Sequence, residues 1–144
     1  MTTGALAAYG VLLKIGDGGT SETFTTIAEV RDIEGPELEL EAKEVTSHDS
    51  GGWREYIGTL LTGGEVGFDL NFIPTNATQS YSSGLIEDMV NRTKRNFQIV
   101  FPTTSPTTWA FTALVTGFKP SSPVEDELSA EVTLQVTGAP TLAG

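Results

Sequence analysis

The sequence predicts a mainly β fold of the α+β class, an antiparallel β-sandwich or barrel with one flanking α-helix. Several segments alternate apolar and polar residues with period two, which is typical of strands with one buried face. Clusters of glycine, proline and serine separate these segments, and one short stretch has helical spacing. Because strands both precede and follow the helix, an antiparallel sheet is favoured.

The first third of the chain contains three predicted strands. Residues 11–15 form a short apolar run that ends at a glycine-rich hairpin turn, and the β-branched run 24–30 follows. In 37–45 the alternation is nearly strict, which predicts one buried face and one exposed face. The apolar side, which we expect to be buried, contains Leu38, Leu40, Ala42 and Val45.

Residues 46–64 break this alternation with serine and glycine, and we predict a long loop. Loops of this length are uncommon in a compact domain unless they have a function. Exposed apolar side chains favour association, so we expect this loop to contact other subunits. The predicted contact residues are Trp53, Arg54, Tyr56, Ile57, Leu60 and Leu61. The alternative is that the loop folds back onto its own sandwich.

The rest of the chain contains four predicted strands and the helix. Alternation is clean in 65–73 and in 128–137, and strand-like residues also fill 96–101 and 109–118. Between them lies an apolar stripe at helical spacing, with a serine available as N-cap and basic residues that complement the helix dipole at its end. The stripe is Leu85, Ile86, Met89 and Val90, the candidate caps are Ser82 and Ser83, and the basic residues are Arg92, Lys94 and Arg95.

Composition excludes several classes of function. The chain has 144 residues, which fits one domain, and no cysteine, which excludes disulfides and thiolate chemistry. Its net charge of −11 is unlike that of a protein that holds nucleic acid tightly. The first residues lack the features of a secretory signal, and no apolar run is long enough to cross a membrane.

No candidate catalytic, metal or cofactor site stands out in the sequence. His48, Asp49 and Ser50 are the residue types of a triad, but adjacent loop residues cannot act as base, orienter and nucleophile. The alternating carboxylates Glu37, Glu39 and Glu41 fit a solvated strand face better than an acid–base pair. We therefore expect a non-enzymatic protein with no cofactor.

Several segments resemble the tail tube proteins of long-tailed, siphovirus-type phages and of related gene transfer agents. The sequence EVTSHDSGGWREYI at 44–57, followed by GGEVGFDLNF at 63–72, is similar to the central motif of this family. LLKI at 12–15 resembles its first strand, and VTGFKP at 115–120 with VTL at 132–134 resembles its closing hairpin. The matches follow the family's order over nearly the whole chain, and we expect one tube domain at 1–144 without a C-terminal immunoglobulin-like domain.

The resemblance implies a structural subunit of the virion tail, assembled in the cytoplasm of a host bacterium. It implies homohexameric rings that stack, with strands of all six subunits in one inner barrel. We predict that these strands are the longest segments with alternating or strand-like character, 37–45, 65–73, 109–118 and 128–137. Tape measure, tail terminator and distal tail proteins would be partners, with double-stranded DNA as transient cargo and no membrane binding. The residues predicted to line the lumen are Glu39, Glu41, Lys43, Asp69, Asn71, Glu131, Thr133 and Gln135.

Three alternatives remain open on the sequence alone. The chain could be the tube protein of a related injection machine: a gene transfer agent, a type VI secretion system or a contractile tail. It could instead be a small β-sandwich that binds carbohydrate or protein, although it has only three tyrosines and two tryptophans to supply an aromatic binding face. The negative charge could serve solubility alone, without any role in a lumen.

Overall fold

The computed structural model describes residues 10–19, 21–82, 84–102 and 107–143, of which Ala143 is described by its backbone only. Within these ranges the chain is mostly antiparallel β-sheet with one short α-helix, so the predicted fold class is confirmed. The elements are β1 (Leu12–Gly16), β2 (Phe24–Thr26), β3 (Val30–Glu34), β4 (Glu39–Glu44), a 3₁₀ helix (His48–Ser50), β5 (Tyr56–Thr62), β6 (Glu65–Asn71), α1 (Leu85–Val90), β7 (Arg95–Phe101), β8 (Thr107–Ser121) and β9 (Ser129–Ala143).

The connection between β2 and β3 shows that the main sheet is rolled. The sheet has seven antiparallel strands in the order β2-β1-β7-β8-β9-β6-β3. β2 and β3 lie at opposite edges of this order although only residues 27–29 separate them, so the two edges must lie side by side. The backbone N–H of Ile27 donates to the carbonyl of Leu13 at 2.9 Å where the chain crosses between the edges. The single strand predicted at 24–30 is therefore wrong, because the crossing divides it into two.

The core lies inside this roll and follows the predicted alternation. On β6 the buried residues are Val66, Phe68 and Leu70, and they pair in register with Leu134, Val132 and Ala130 of β9. On the far side, Phe97 of β7 stacks on Phe111 of β8 with ring centroids 5.8 Å apart. The period-two pattern in 65–73 and 128–137 thus corresponds to strands with one face in the core.

Helix α1 packs against β8 and contributes part of its predicted apolar stripe to the core. Leu85 is fully buried in the core and Met89 packs against it, whereas Val90 is 49 % exposed. The helix starts after Gly84, which makes no side-chain cap, so the predicted cap at Ser82 is wrong, and Ser83 lies outside the described residues.

A partly buried ion pair attaches the helix to the sheet. The Nε of Arg95 donates to Oδ1 of Asp88 at 3.0 Å, and Asp88 is 3 % exposed. The same guanidinium donates from Nη1 to the carbonyl of Asp17 in the β1–β2 turn, 3.2 Å away. Arg95 therefore binds a specific carboxylate, beyond the general dipole effect that the sequence predicted.

A two-stranded hairpin, β4–β5, replaces most of the predicted 46–64 loop. Residues 56–62 are a strand that pairs antiparallel with β4, and a bulge interrupts the register between Leu40 and Ala42. Every residue of both strands is exposed, including the apolar side of β4 that the sequence predicted to be buried. The alternation was correct about strand structure and wrong about burial, because no described part of the chain covers this hairpin.

The base of the hairpin is packed too closely for side chains at two glycines. Gly35 and Gly64 both have positive φ, 95° and 64°. A Cβ on Gly35 would collide with the carbonyl oxygen of Glu65, and one on Gly64 with that of Glu37. The two segments of the chain that enter and leave the hairpin are therefore in direct backbone contact at the rim of the roll. This contact fixes where the hairpin projects from the main sheet.

Candidate assembly surfaces

The hairpin β4–β5, called the arm below, has one mainly apolar face, which also carries Glu44, and one mainly polar face, which also carries Ile57. The register places Leu40 opposite Leu61 and Glu44 opposite Tyr56 on the apolar face. Glu39, opposite Thr62, and Lys43, opposite Ile57, lie on the other face. Leu61 is 79 % exposed and Leu60, next to it at the bulge, 71 %. The arm is therefore an amphipathic two-stranded sheet whose apolar face is left in solvent.

The end of the arm, residues 46–55, is a structured turn and not a free loop. Ser47 caps the 3₁₀ helix, with its Oγ accepting from the N–H of Asp49 at 3.3 Å, and Ser50 Oγ accepts from the N–H of Ser47 at 3.0 Å. The hydroxyl of Ser50 also donates to Oε2 of Glu55 at 2.8 Å. These bonds account for Ser47 and Ser50 near His48, because both serines belong to the cap of the 3₁₀ helix.

Trp53 and Arg54 project from this turn, which we call the tip. Trp53 is 79 % exposed, and the side chain of Arg54 is 76 % exposed. The Arg54 guanidinium lies 4.0 Å from the carboxylate of Glu44, which makes a long, solvent-exposed pair of little energetic value. The tip thus presents an aromatic ring and a nearly free cation on an ordered support.

The face of the main sheet opposite the core is polar and carries half of the predicted lumen residues. Asp69 lies beside Glu131 in register, and Glu131 lies beside Lys119 on the next strand. Thr133 and Gln135 follow on the same face of β9. These side chains form a strip across β6, β9 and β8 that carries more negative than positive charge.

Not all of the predicted lumen residues are exposed and free on this face. Oδ1 of Asn71 is buried and accepts no hydrogen bond from any described residue. Gln135 is partly committed as well, because its Nε2 donates to the carbonyl of Gly64 at the base of the arm, 3.0 Å away. Glu39, Glu41 and Lys43 are exposed on the arm, in a separate sheet from the other five. The lumen assignment stays a prediction.

A cleft of about 1050 Å³ opens where the rolled sheet meets itself between β1 and β3. Its apolar walls include Ile33, Phe101 and Trp109, and the last two rings pack edge to face with centroids 5.4 Å apart. Asp32 and Glu34, both exposed, flank Ile33 along its rim, and Asp69 and Glu131 of the acidic sheet face also line the cleft. No pattern along the sequence indicates this cleft, because its residues come together only when the sheet rolls.

Two carboxyl groups in the described part of the chain have shifted pKa values, with opposite signs. Hydrogen bonds from the backbone N–H groups of Gly19 and Thr23 lower the pKa of Asp17, which caps the β1–β2 turn. Burial raises the pKa of Asp88, and its pairing with Arg95 only partly opposes this effect. Both groups hold elements of the fold in place, and neither lies on the arm or in the cleft.

The described residues contain no group of three or more His, Asp or Glu side chains arranged to hold a metal ion. Across the same part of the chain, no helix has the length and apolar character needed to cross a membrane. The prominent features are instead an unpaired arm, an ordered tip, an acidic sheet face and a cleft. Exposed apolar surface and open strand edges of this kind are typical of subunits that assemble.

The family comparison agrees with this class of protein. The family model described as lambda phage tail tube protein matches residues 15–143. The chain therefore belongs to the lambda phage tail tube protein family, and it is a tail tube component of a virion or a related particle. None of the curated proteins matches the chain in sequence.

Solved tail structures share the fold over nearly the full chain. A subunit from the tail of an empty gene transfer agent particle, refined with C6 symmetry, superimposes with a TM-score of 0.77 at 21 % identity, covering 97 % of this chain and 100 % of that chain. A sheath/tube terminator of an extracellular contractile injection system gives 0.73 at 14 %, with 100 % of both chains covered. The SPP1 tail tube gives 0.66 at 16 %, covering 93 % of this chain and 76 % of that chain. At these identities the likeness establishes the fold.

Proposed function

We propose that this chain forms homohexameric rings that stack into the tail tube, a conduit for DNA ejection. The observation that carries the proposal is the arm, which leaves an apolar face and two backbone edges without a partner within the described chain. Open edges and exposed apolar surface are disfavoured in a monomer and are removed when strands of several subunits join. The C6 symmetry used for the similar gene transfer agent tail supports six subunits per ring.

The acidic sheet face is the proposed lining of the channel. It carries Asp69 and Glu131, and the polar face of the arm would add Glu39, Glu41 and Lys43 once the arm joins the barrel. Asn71, Thr133 and Gln135 complete the proposed lining. Because phosphates are negative, such a wall repels the passing duplex and keeps it from sticking. The chain's net charge of −11 is consistent with this role.

Other tail proteins are the proposed partners of the tube. A tape measure protein would occupy the channel during assembly, and tail terminator and distal tail proteins would meet its two ends, all in the cytoplasm of the host bacterium. Similar structures come from a sheath/tube terminator and from the baseplate and cap of other injection systems, which supports partners at tube ends.

A tube protein of a contractile injection system is the second candidate. The sheath-tube complex of an extracellular contractile system superimposes with a TM-score of 0.70. The family match over residues 15–143 favours the non-contractile phage tail or a gene transfer agent. Adding a sheath protein to assembled tubes separates the two candidates, because only a contractile tube has a surface that binds one.

Electron microscopy of the concentrated protein tests the proposal directly. We expect rings with six-fold averages and, at higher concentration, hollow tubes built from them. A protein that stays monomeric at every concentration, or rings of another order, would refute the hexameric tube.

Cysteine labelling tests the lining, and because the chain has no cysteine of its own, only the introduced thiol reacts. Tubes of Thr133→Cys, on the same sheet face but outside the cleft, and of Lys94→Cys are reacted with a biotin maleimide after assembly and then exposed to streptavidin. We expect streptavidin along the walls of Lys94→Cys tubes and only at the ends of Thr133→Cys tubes. Decoration along the walls of Thr133→Cys tubes would place the acidic face outside.

A further inference from the structure

The tip has the composition and order of one half of an interface. Tryptophan and arginine are the residue types that most often anchor protein contacts. Here they stand on a turn held by the Ser47 cap and the Ser50–Glu55 bond, so little order has to be gained on binding. Trp53 is 79 % exposed, which means that it fills no site in its own chain.

The seam cleft, lined by Ile33, Phe101 and Trp109 with Asp32 and Glu34 on its rim, has the complementary character. Its walls offer half-buried apolar surface to an aromatic ring. Its rim offers two exposed carboxylates that form no ion pair with any described residue, since the neighbouring Arg31 is paired with Glu127 at 2.9 Å. A cation beside the inserted ring would therefore meet uncompensated negative charge.

The arm holds the tip away from its own cleft. Gly35 lines the cleft and also lies at the base of the arm, whereas the tip is at the far end of the seven-residue strand β5. At the rise of an extended strand, the arm spans roughly 20 Å. A tip can therefore reach a cleft only on another copy of the chain. Since tip and cleft are different surfaces, the contact is heterologous and repeats from copy to copy.

From these observations we infer that the tip of one subunit docks in the seam cleft of a second copy, with Trp53 against its apolar walls and Arg54 beside Asp32 and Glu34. The inference rests on the proposed tube function and names the surface that receives the arm.

Charge exchange between tip and cleft tests this pairing. Arg54→Glu places a carboxylate against the acidic rim, and the double variant Asp32→Lys/Glu34→Lys places cations against Arg54. Each variant alone is expected to raise the concentration needed for polymerisation by roughly tenfold or more. Mixing the two variants should restore assembly, because the acidic tip then fits the basic cleft and the native tip fits the native cleft.

Matched controls separate this pairing from general charge effects. Lys94→Glu changes the net charge as Arg54→Glu does, and Glu125→Lys/Asp126→Lys matches the cleft variant at two exposed residues that do not line the cleft. Both controls are expected to polymerise like the parent, and Lys94→Glu should not rescue the cleft variant. If Arg54→Glu and the cleft variant form tubes like the parent, or fail to complement when mixed, the pairing is wrong even though the tube function stands. If the parent itself forms no tubes, the proposed function fails as well.

Crosslinking gives a readout that does not depend on charge. Asp49→Cys on the tip and Asp32→Cys on the rim both replace exposed residues and leave Trp53 and Arg54 in place. A short bis-maleimide should join the two variants between copies when they are mixed, and should not join Asp49→Cys to Thr116→Cys on the sheet. Absence of the crosslink between Asp49→Cys and Asp32→Cys would overturn the proposal. Protection of the Asp32→Cys thiol in the monomer would overturn it as well, because the cleft would then already be filled.

Discussion

Replacing Trp53 with alanine should weaken assembly strongly and leave the monomer folded. A tryptophan side chain buries up to about 250 Å², and 79 % of Trp53 is still available for burial in the monomer. At about 25 cal/mol per Å² this is an upper limit near 5 kcal/mol per contact. Association costs reduce it, and truncation of an interface anchor typically costs about 2 kcal/mol or more.

The expected change in assembly follows from that energy. A loss of about 2 kcal/mol per subunit raises the concentration at which tubes appear roughly 30-fold. Monomer stability should change by less than about 0.5 kcal/mol, since the ring is exposed. Sedimentation over a concentration series gives the first quantity, and urea unfolding followed by circular dichroism gives the second.

Tyr81→Ala is the matched control for this variant. Tyr81 is 67 % exposed and lies outside the arm, so its removal should not change the polymerisation threshold. If Trp53→Ala polymerises at the parent's threshold, or if Tyr81→Ala is impaired equally, the tip is not a joint between subunits. Loss of monomer structure in Trp53→Ala would show instead that the ring supports the fold of its own chain.

Three further predictions concern the folded body. Met89→Asp should lower the free energy of unfolding by more than the roughly 2–5 kcal/mol typical of core truncation. Val90→Asp, at the next residue, should lower it little because Val90 is 49 % exposed. Equal urea midpoints for the two variants would contradict the placement of α1. Gly64 and Gly138 both have positive φ, but a Cβ on Gly64 would collide with backbone whereas one on Gly138 would meet open space. Gly64→Ala should therefore unfold at a clearly lower temperature than Gly138→Ala. The reverse order would argue against close backbone packing at the base of the arm. Burial raises the pKa of Asp88, so the folded state keeps a proton that the unfolded state loses, and this group's contribution to stability falls as pH rises from about 4 toward the folded pKa. The free energy of unfolding of Asp88→Asn should therefore rise relative to that of the parent across this range, in urea titrations at a series of pH values. If the parent instead becomes more stable relative to the variant as pH rises, the shift has the opposite sign.

Periodicity predicted the body of the fold well because the same face of each strand meets the core. In β6 and β9 the alternating apolar residues pair in register and are buried together. β4 has an equally clear alternation, yet Leu40 is 58 % exposed. The pattern indicates that a face will be covered and does not say by which chain. A sequence suited to assembly therefore shows core-like patterning on a surface that the monomer leaves open.

The remaining errors have local causes. Residues 56–62 carry apolar side chains on both faces and a glycine, and the bulge opposite β4 further obscures the period, so a strand looked like a loop. The strand predicted at 24–30 was divided because the chain crosses a seam that exists only in three dimensions. The cleft combines β1, β3, β7 and β8, whose proximity follows from the roll and has no signature along the chain.

The separation of tip and cleft on one chain gives a direction to any open polymer joined through them, such as a stack of rings. One end of such a polymer carries free tips and the other carries free clefts. A subunit with a damaged tip and an intact cleft would still add to the end with free tips and would then stop growth there. Small amounts of Trp53→Ala mixed with parent protein would therefore shorten tubes far beyond their share of the mixture, and natural proteins that present only one of the two surfaces would act on only one end.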